Sequence, residues 1–81
     1  MIIEVKLFAV AKQLANAEAV SVELPDKATV QDIRDALSKQ HAELSGITSR
    51  AMIAVDAEYV KDNSPVRQDS EIALIPPVSG G

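Results

Sequence analysis

TVQDIRDALSK, residues 29–39, is the stretch of this chain that reads most fully as an amphipathic helix, and the fold is built out from it. Val30, Ile33, Ala36 and Leu37 recur at helical spacing and fall on one face, while Gln31, Asp32, Arg34, Asp35, Ser38 and Lys39 cover the other. Thr29 is a favoured N-cap residue, and Asp32, three positions on, supplies a weaker form of the capping box. Lys39 and His41 stand where the C-terminal end of the helix dipole favours cations, and Ser45-Gly46 predicts the break.

On the N-terminal side, Ile3, Val5 and Leu7 alternate with Glu4, Lys6 and Phe8, the period-two pattern of a half-buried strand with its aliphatics inward. Residues 9–15, AVAKQLA, favour helix but are too few to be stable alone, so a short helix held by packing is expected. Val20, Val22 and Leu24 alternate with Ser21 and Glu23 and predict a second strand, antiparallel to the first. Beyond the main helix come an apolar strand over 51–55, a short one over 58–60, the turn-rich KDNSP at 61–65, and a last strand over 71–75. A hairpin, a long helix and three further strands predict an α+β roll, one mixed sheet of about five strands wrapped on the main helix. This element order is that of the β-grasp, or ubiquitin-like, fold. Eighty-one residues suffice for one domain, expected over 1–75, with an extended C-terminal tail over 76–81.

Composition narrows the chemistry. There is no cysteine, so disulfides, thiolate metal sites and cysteine nucleophiles are excluded, and a reducing, cytoplasmic setting is the expectation. The opening MIIEVK lacks the basic region and long apolar stretch of a signal peptide, and no apolar run reaches the ~20 residues that span a bilayer. With a net charge of −4 and only Phe8 and Tyr59 as aromatics, the chain lacks both the basic field and the stacking platform of a nucleic-acid binder. His41 is the single histidine and builds no metal site. The acidic residues are scattered along strand edges and helix faces, and no nucleophile elbow, phosphate-cradling glycine loop or zinc-binding helix motif is present. No metal and no bound cofactor are expected.

What remains is the end of the chain, EIALIPPVSGG. Pro76 and Pro77 have no N–H with which to extend a sheet ladder, and their fixed φ favours an extended exit. Val78 and Ser79 follow, then Gly80 and Gly81, whose lack of a Cβ lets the backbone enter a slot too narrow for any side chain. Six residues at about 3.3 Å each reach about 20 Å, enough to carry a terminal carboxylate into a partner's buried site.

KLFAVAKQLA at 6–15, IAVDAEYV at 53–60 and EIALIPPVSGG at 71–81 together resemble the small subunits of molybdopterin synthase, ubiquitin-like sulfur carriers of molybdenum cofactor biosynthesis. The proline-proline-valine approach to Gly-Gly is the most specific part; shorter thiamin-pathway carriers share the glycines but usually not that approach. The chain departs from the family pattern at Lys12-Gln13, Asp56 and Gln68-Asp69-Ser70-Glu71. The resemblance implies that a ubiquitin-activating-like adenylyltransferase uses ATP to adenylate Gly81, that an external persulfide converts the adenylate to a thiocarboxylate, and that the large synthase subunit, which holds the active site, passes this sulfur to a cyclic pterin in a heterotetramer. This chain is then the sulfur-donating, non-catalytic subunit.

Strand parity places the docking surface. If Ile72 and Leu74 face the helix, Ala73 and Ile75 face outward, joined by Phe8 and Tyr59, with Lys12 where the family usually has arginine. Two other readings stay open: a ubiquitin-like modifier joined to lysines, or a sulfur carrier for thiamin or tRNA; and a β-grasp interaction domain with an inert tail.

Overall fold

In the computed structural model, described here for residues 1–77, the elements run β1 (Ile2–Leu7), α1 (Val10–Ala15), β2 (Ala19–Glu23), α2 (Val30–Gln40), β3 (Met52–Val55), β4 (Glu58–Tyr59) and β5 (Ile72–Ile75), with a 3₁₀ turn over Ala42–Leu44. They form one five-stranded mixed sheet in the order β2-β1-β5-β3-β4. β1 pairs antiparallel with β2 and parallel with β5, and β3 is antiparallel to both β5 and β4. This is the α+β roll that the pattern predicts.

The sheet buries one face against α2. Ile3, Val5 and Leu7 of β1, Ile53 of β3 and Ile72 and Leu74 of β5 meet Val30, Ile33 and Leu37 of the helix in a single apolar cluster. Full burial of such a side chain contributes about 1.5–3 kcal/mol, so the cluster carries a fold that has no disulfide to support it.

α2 begins at the predicted cap, where the Thr29 N–H donates to Asp32 Oδ2 at 2.8 Å. Its next two free donors are taken up by the loop that the sequence marked only as a turn: Val30 N–H donates to the Ser64 carbonyl at 3.0 Å and Gln31 N–H to that of Asp62 at 2.9 Å. The helix stops at Gln40, earlier than the Ser45-Gly46 break expected from the sequence. The side chains of Gln40 and His41 turn back onto β2, and the 3₁₀ turn then fills the gap. Gly46 is not required there for steric reasons, since a Cβ would meet nothing within 4 Å.

Helical periodicity assigns Arg34 to the polar face, yet its side chain is only 14% exposed. Its guanidinium donates to the Thr48 and Ala51 carbonyls, at 2.6 and 2.5 Å, and pairs with Asp62 at 2.8 Å. One planar fork thus ties α2 to the start of β3 and to the 61–66 loop. Arg34→Lys keeps the charge but cannot reach three acceptors in that geometry. We expect it to lower unfolding stability by about 2 kcal/mol in urea denaturation, through the carbonyls left unsatisfied.

Candidate functional site

β5 has neighbours on both sides, so the alternation along it divides the molecule. Ile72 and Leu74 point into the core, while Ala73 and Ile75 point outward and are half-buried. Pairing then sets their company: Ala73 lies beside Lys6 of β1 and Ala54 of β3, and Ile75 lies beside Met52. Tyr59 is opposite Ala54 across the β3–β4 hairpin, and Phe8 follows the last residue of β1. Phe8 and Tyr59 are 47% and 60% exposed, and with Ala54, Ala73 and Ile75 they line a depression of about 300 Å³ on the outer face. Four of the residues assigned to the docking surface, Phe8, Tyr59, Ala73 and Ile75, therefore come together in space.

Lys12 stands apart. It lies on α1, 3.3 Å from Glu18, and lines an adjoining depression of about 440 Å³ that shares Lys6 and Phe8 with the first. Phe8 is thus a ridge between two hollows. The junction beyond it is unusual, because Ala9 takes φ 52° and ψ −129°, a conformation that favours glycine. Met52, 49% exposed beside Ile75, extends the apolar surface toward the strand exit. Its parity with Ala54 in β3 is the signal that could have found it.

The acidic rim of the site is ordered by local bonds. The β3–β4 turn has only two residues, Asp56 and Ala57, both at positive φ, the geometry that suits the twist of a tight hairpin. That turn brings Asp56 to the head of β5, where its N–H donates to the Glu71 carbonyl at 2.8 Å and its Oδ1 accepts the Glu71 N–H at 2.9 Å. The Glu71 carboxylate in turn accepts from Lys6 Nζ at 2.6 Å. This hydrogen bond, with the attraction of the same carboxylate, holds the Lys6 ammonium above its ordinary pKa.

At the other end of β5, Pro76 is buried and Pro77 exposed, and neither belongs to a strand. Val78, Ser79, Gly80 and Gly81, the rest of the predicted tail, lie outside the described residues. Among the described residues no three His, Cys, Asp or Glu side chains cluster as a metal site, and no helix is long and apolar enough to cross a membrane.

Residues 5–81 match the model of the ThiS family. The chain belongs to that family. Among its relatives, the molybdopterin synthase sulfur carrier subunit of Arabidopsis thaliana is 34% identical, over 98% of this chain and 82% of the relative. The subunit of the same name from Caenorhabditis briggsae is 35% identical, over 98% and 96%. The solved structure of SAMP1 from Haloferax volcanii, the small archaeal modifier protein 1, covers all of both chains at 31% identity with a TM-score of 0.85. In this ThiS-family chain the apolar depression and the strand exit are adjacent: Ile75 lines the first and is the last residue of β5.

The two faces of β5 are separable by mutation. Ile75→Asp should leave a cooperatively folding domain, with a loss of no more than about 2 kcal/mol in chemical denaturation, because its side chain only half leaves solvent. Leu74→Asp, one residue back, puts an unpaired carboxylate in the core and should abolish folding. The Lys6–Glu71 pair has its own signature. A lysine whose pKa is raised by folding adds stability below its unfolded value near about 10.4, and that contribution is lost as pH rises through the higher folded value. The stability difference between the parent chain and Glu71→Gln should therefore hold level from neutral pH to about pH 10 and shrink above it.

Proposed function

We propose that this chain is the sulfur carrier subunit of a molybdopterin synthase, with sulfur carried as a thiocarboxylate at Gly81. The observation that supports it best is geometric: the apolar depression borders the point where the chain leaves β5, so a partner covering Phe8, Tyr59, Ala73 and Ile75 stands beside the emerging tail. The full-length likeness to sulfur carrier subunits supports the same reading.

The chemistry follows from what the chain has and lacks. With Gly81 as the terminal residue, its carboxylate attacks the α-phosphorus of ATP on an adenylyltransferase; pyrophosphate leaves and an acyl adenylate forms. A persulfide sulfur from a separate donor, needed because this chain has no cysteine, attacks the acyl carbon and displaces AMP. A second thiol of the donor then attacks the donor-side sulfur of this acyl disulfide, forming a disulfide within the donor and releasing the thiocarboxylate. Pro76 and Pro77 hold the exit off the sheet, and Val78, Ser79 and Gly80 carry the terminal group into the large subunit, where sulfur passes to a cyclic pterin precursor. The body of the domain is a handle that both partners grip in turn, with Lys12 and Lys6 at the margin of the apolar surface.

A second reading, a protein modifier whose Gly81 is joined to lysines, is favoured by the likeness to SAMP1. Intact-mass analysis separates the two. Incubated with ATP, an adenylyltransferase and a persulfide donor, the chain should exchange one oxygen for one sulfur and, with the large subunit and pterin precursor, yield molybdopterin. Deletion of Gly81 should abolish both signals while leaving the fold intact. Lysine-linked adducts without the sulfur exchange would favour the modifier. Ile75→Asp should weaken binding to the large subunit at least tenfold, as loss of an apolar anchor from an interface does.

A further inference from the structure

β2 forms one edge of the sheet, and side chains from the end of α2 occupy that edge. The ladder fixes which of its backbone groups point away from β1. Leu24 N–H donates to the Met1 carbonyl, the Met1 amino group donates to the Leu24 carbonyl, and Leu7 N–H donates to the Glu18 carbonyl. Counting inward in steps of two, Val22 and Val20 bond to β1, so Ala19, Ser21 and Glu23 present N–H and C=O outward.

At Glu23 both groups are taken by one side chain. The Glu23 N–H donates to Gln40 Oε1 at 2.8 Å, and Gln40 Nε2 donates to the Glu23 carbonyl at 3.0 Å. A carboxamide making this reciprocal pair reproduces what a residue of a neighbouring antiparallel strand would do. The next outward carbonyl, that of Ser21, accepts from His41 Nε2 at 2.7 Å. Among the described residues no strand pairs with this side of β2.

We infer that the outer edge of β2 is a strand-pairing surface for a second copy of this chain, held closed in the monomer by Gln40 and His41. The edge is self-complementary. With a two-fold axis at Ser21, antiparallel β2 strands set Ser21 opposite its own copy and Ala19 opposite Glu23, so every outward N–H and C=O meets its counterpart and no like charges face each other across the pair. Val20 falls beside Val22 on the core-facing side, and the exposed side chains of Ser21 and Glu23 stay on the solvent side. Open strand edges of this kind invite pairing with another chain, and two side-chain clasps are an economical barrier to it.

Sedimentation velocity on the full chain from micromolar to millimolar concentration tests this. The parent chain should remain monomeric throughout, and Gln40→Ala/His41→Ala should dimerise with an affinity at least tenfold higher. Adding Ser21→Pro, which deletes an outward N–H without touching the ladder to β1, should return that variant to monomer. A double variant that stays monomeric at the highest concentration, or a dimer that survives Ser21→Pro, overturns the inference. Gln40→Glu, a near-isosteric change at an exposed helix end, keeps the test decisive if the double variant folds poorly. It sets a carboxylate against the Glu23 carbonyl, so the Glu23 amide should exchange hydrogen at least tenfold faster in dilute solution; unchanged exchange would show that the clasp does not hold the edge.

Discussion

Everything in this molecule depends on β5 being paired on both sides, parallel to β1 and antiparallel to β3. A strand so held cannot twist away or slip, because a one-residue shift would carry Ile72 and Leu74 to the solvent face and Ala73 and Ile75 into the core. The same four residues therefore serve two ends: two anchor the sheet to α2, and two present a surface. That surface is positioned by the same ladder as the core behind it. For a domain whose working group is proposed to lie at the end of a tail, this is a useful division, since the place where partners grip and the place where the tail departs are set by one strand.

Long connections are tied down by single polar residues rather than by more apolar area. Arg34 joins α2 to the start of β3 and to the 61–66 loop, and that loop returns the favour by capping the first donors of α2. Asp56 fastens the β3–β4 turn to the head of β5. Ser38 and Thr48, their hydroxyls in contact, do the same between α2 and the segment that leads to β3. An 81-residue chain can bury only a modest core, so polar ties that satisfy their own hydrogen bonds extend order outward at little cost in burial. They also leave the outer sheet face free of structural duty, so that apolar side chains can stay exposed there.

Much of this was legible beforehand. The period-two runs of β1 and β2, the cap and stripe of α2, and the parity of β5 all survive in the structure, because each reflects a local rule about which side of an element meets water. The helix ends short of Ser45-Gly46 because Gln40 and His41 meet β2, a matter of distance between elements and not of glycine. Helical angle alone puts Arg34 on the solvent face, yet a long side chain can reach back from the edge of a helix to carbonyls beneath it. The β3–β4 turn carried a weak signal, since Asp56-Ala57 lacks the glycine that usually marks positive φ.

The sequence by itself determined which apolar residues of β1, α2 and β5 face the core, and it marked Pro76-Pro77 as the point where the sheet ladder ends, because these follow from side-chain chemistry and the periods of helix and strand. Only the tertiary structure decided which outward residues become neighbours. Phe8, Tyr59, Ala73 and Ile75 are scattered over the chain and share a hollow solely because β5 inserts between β1 and β3, whereas Lys12 is carried by α1 to a different one. Strand order is set by how the whole chain closes its core around α2, and no local pattern encodes it.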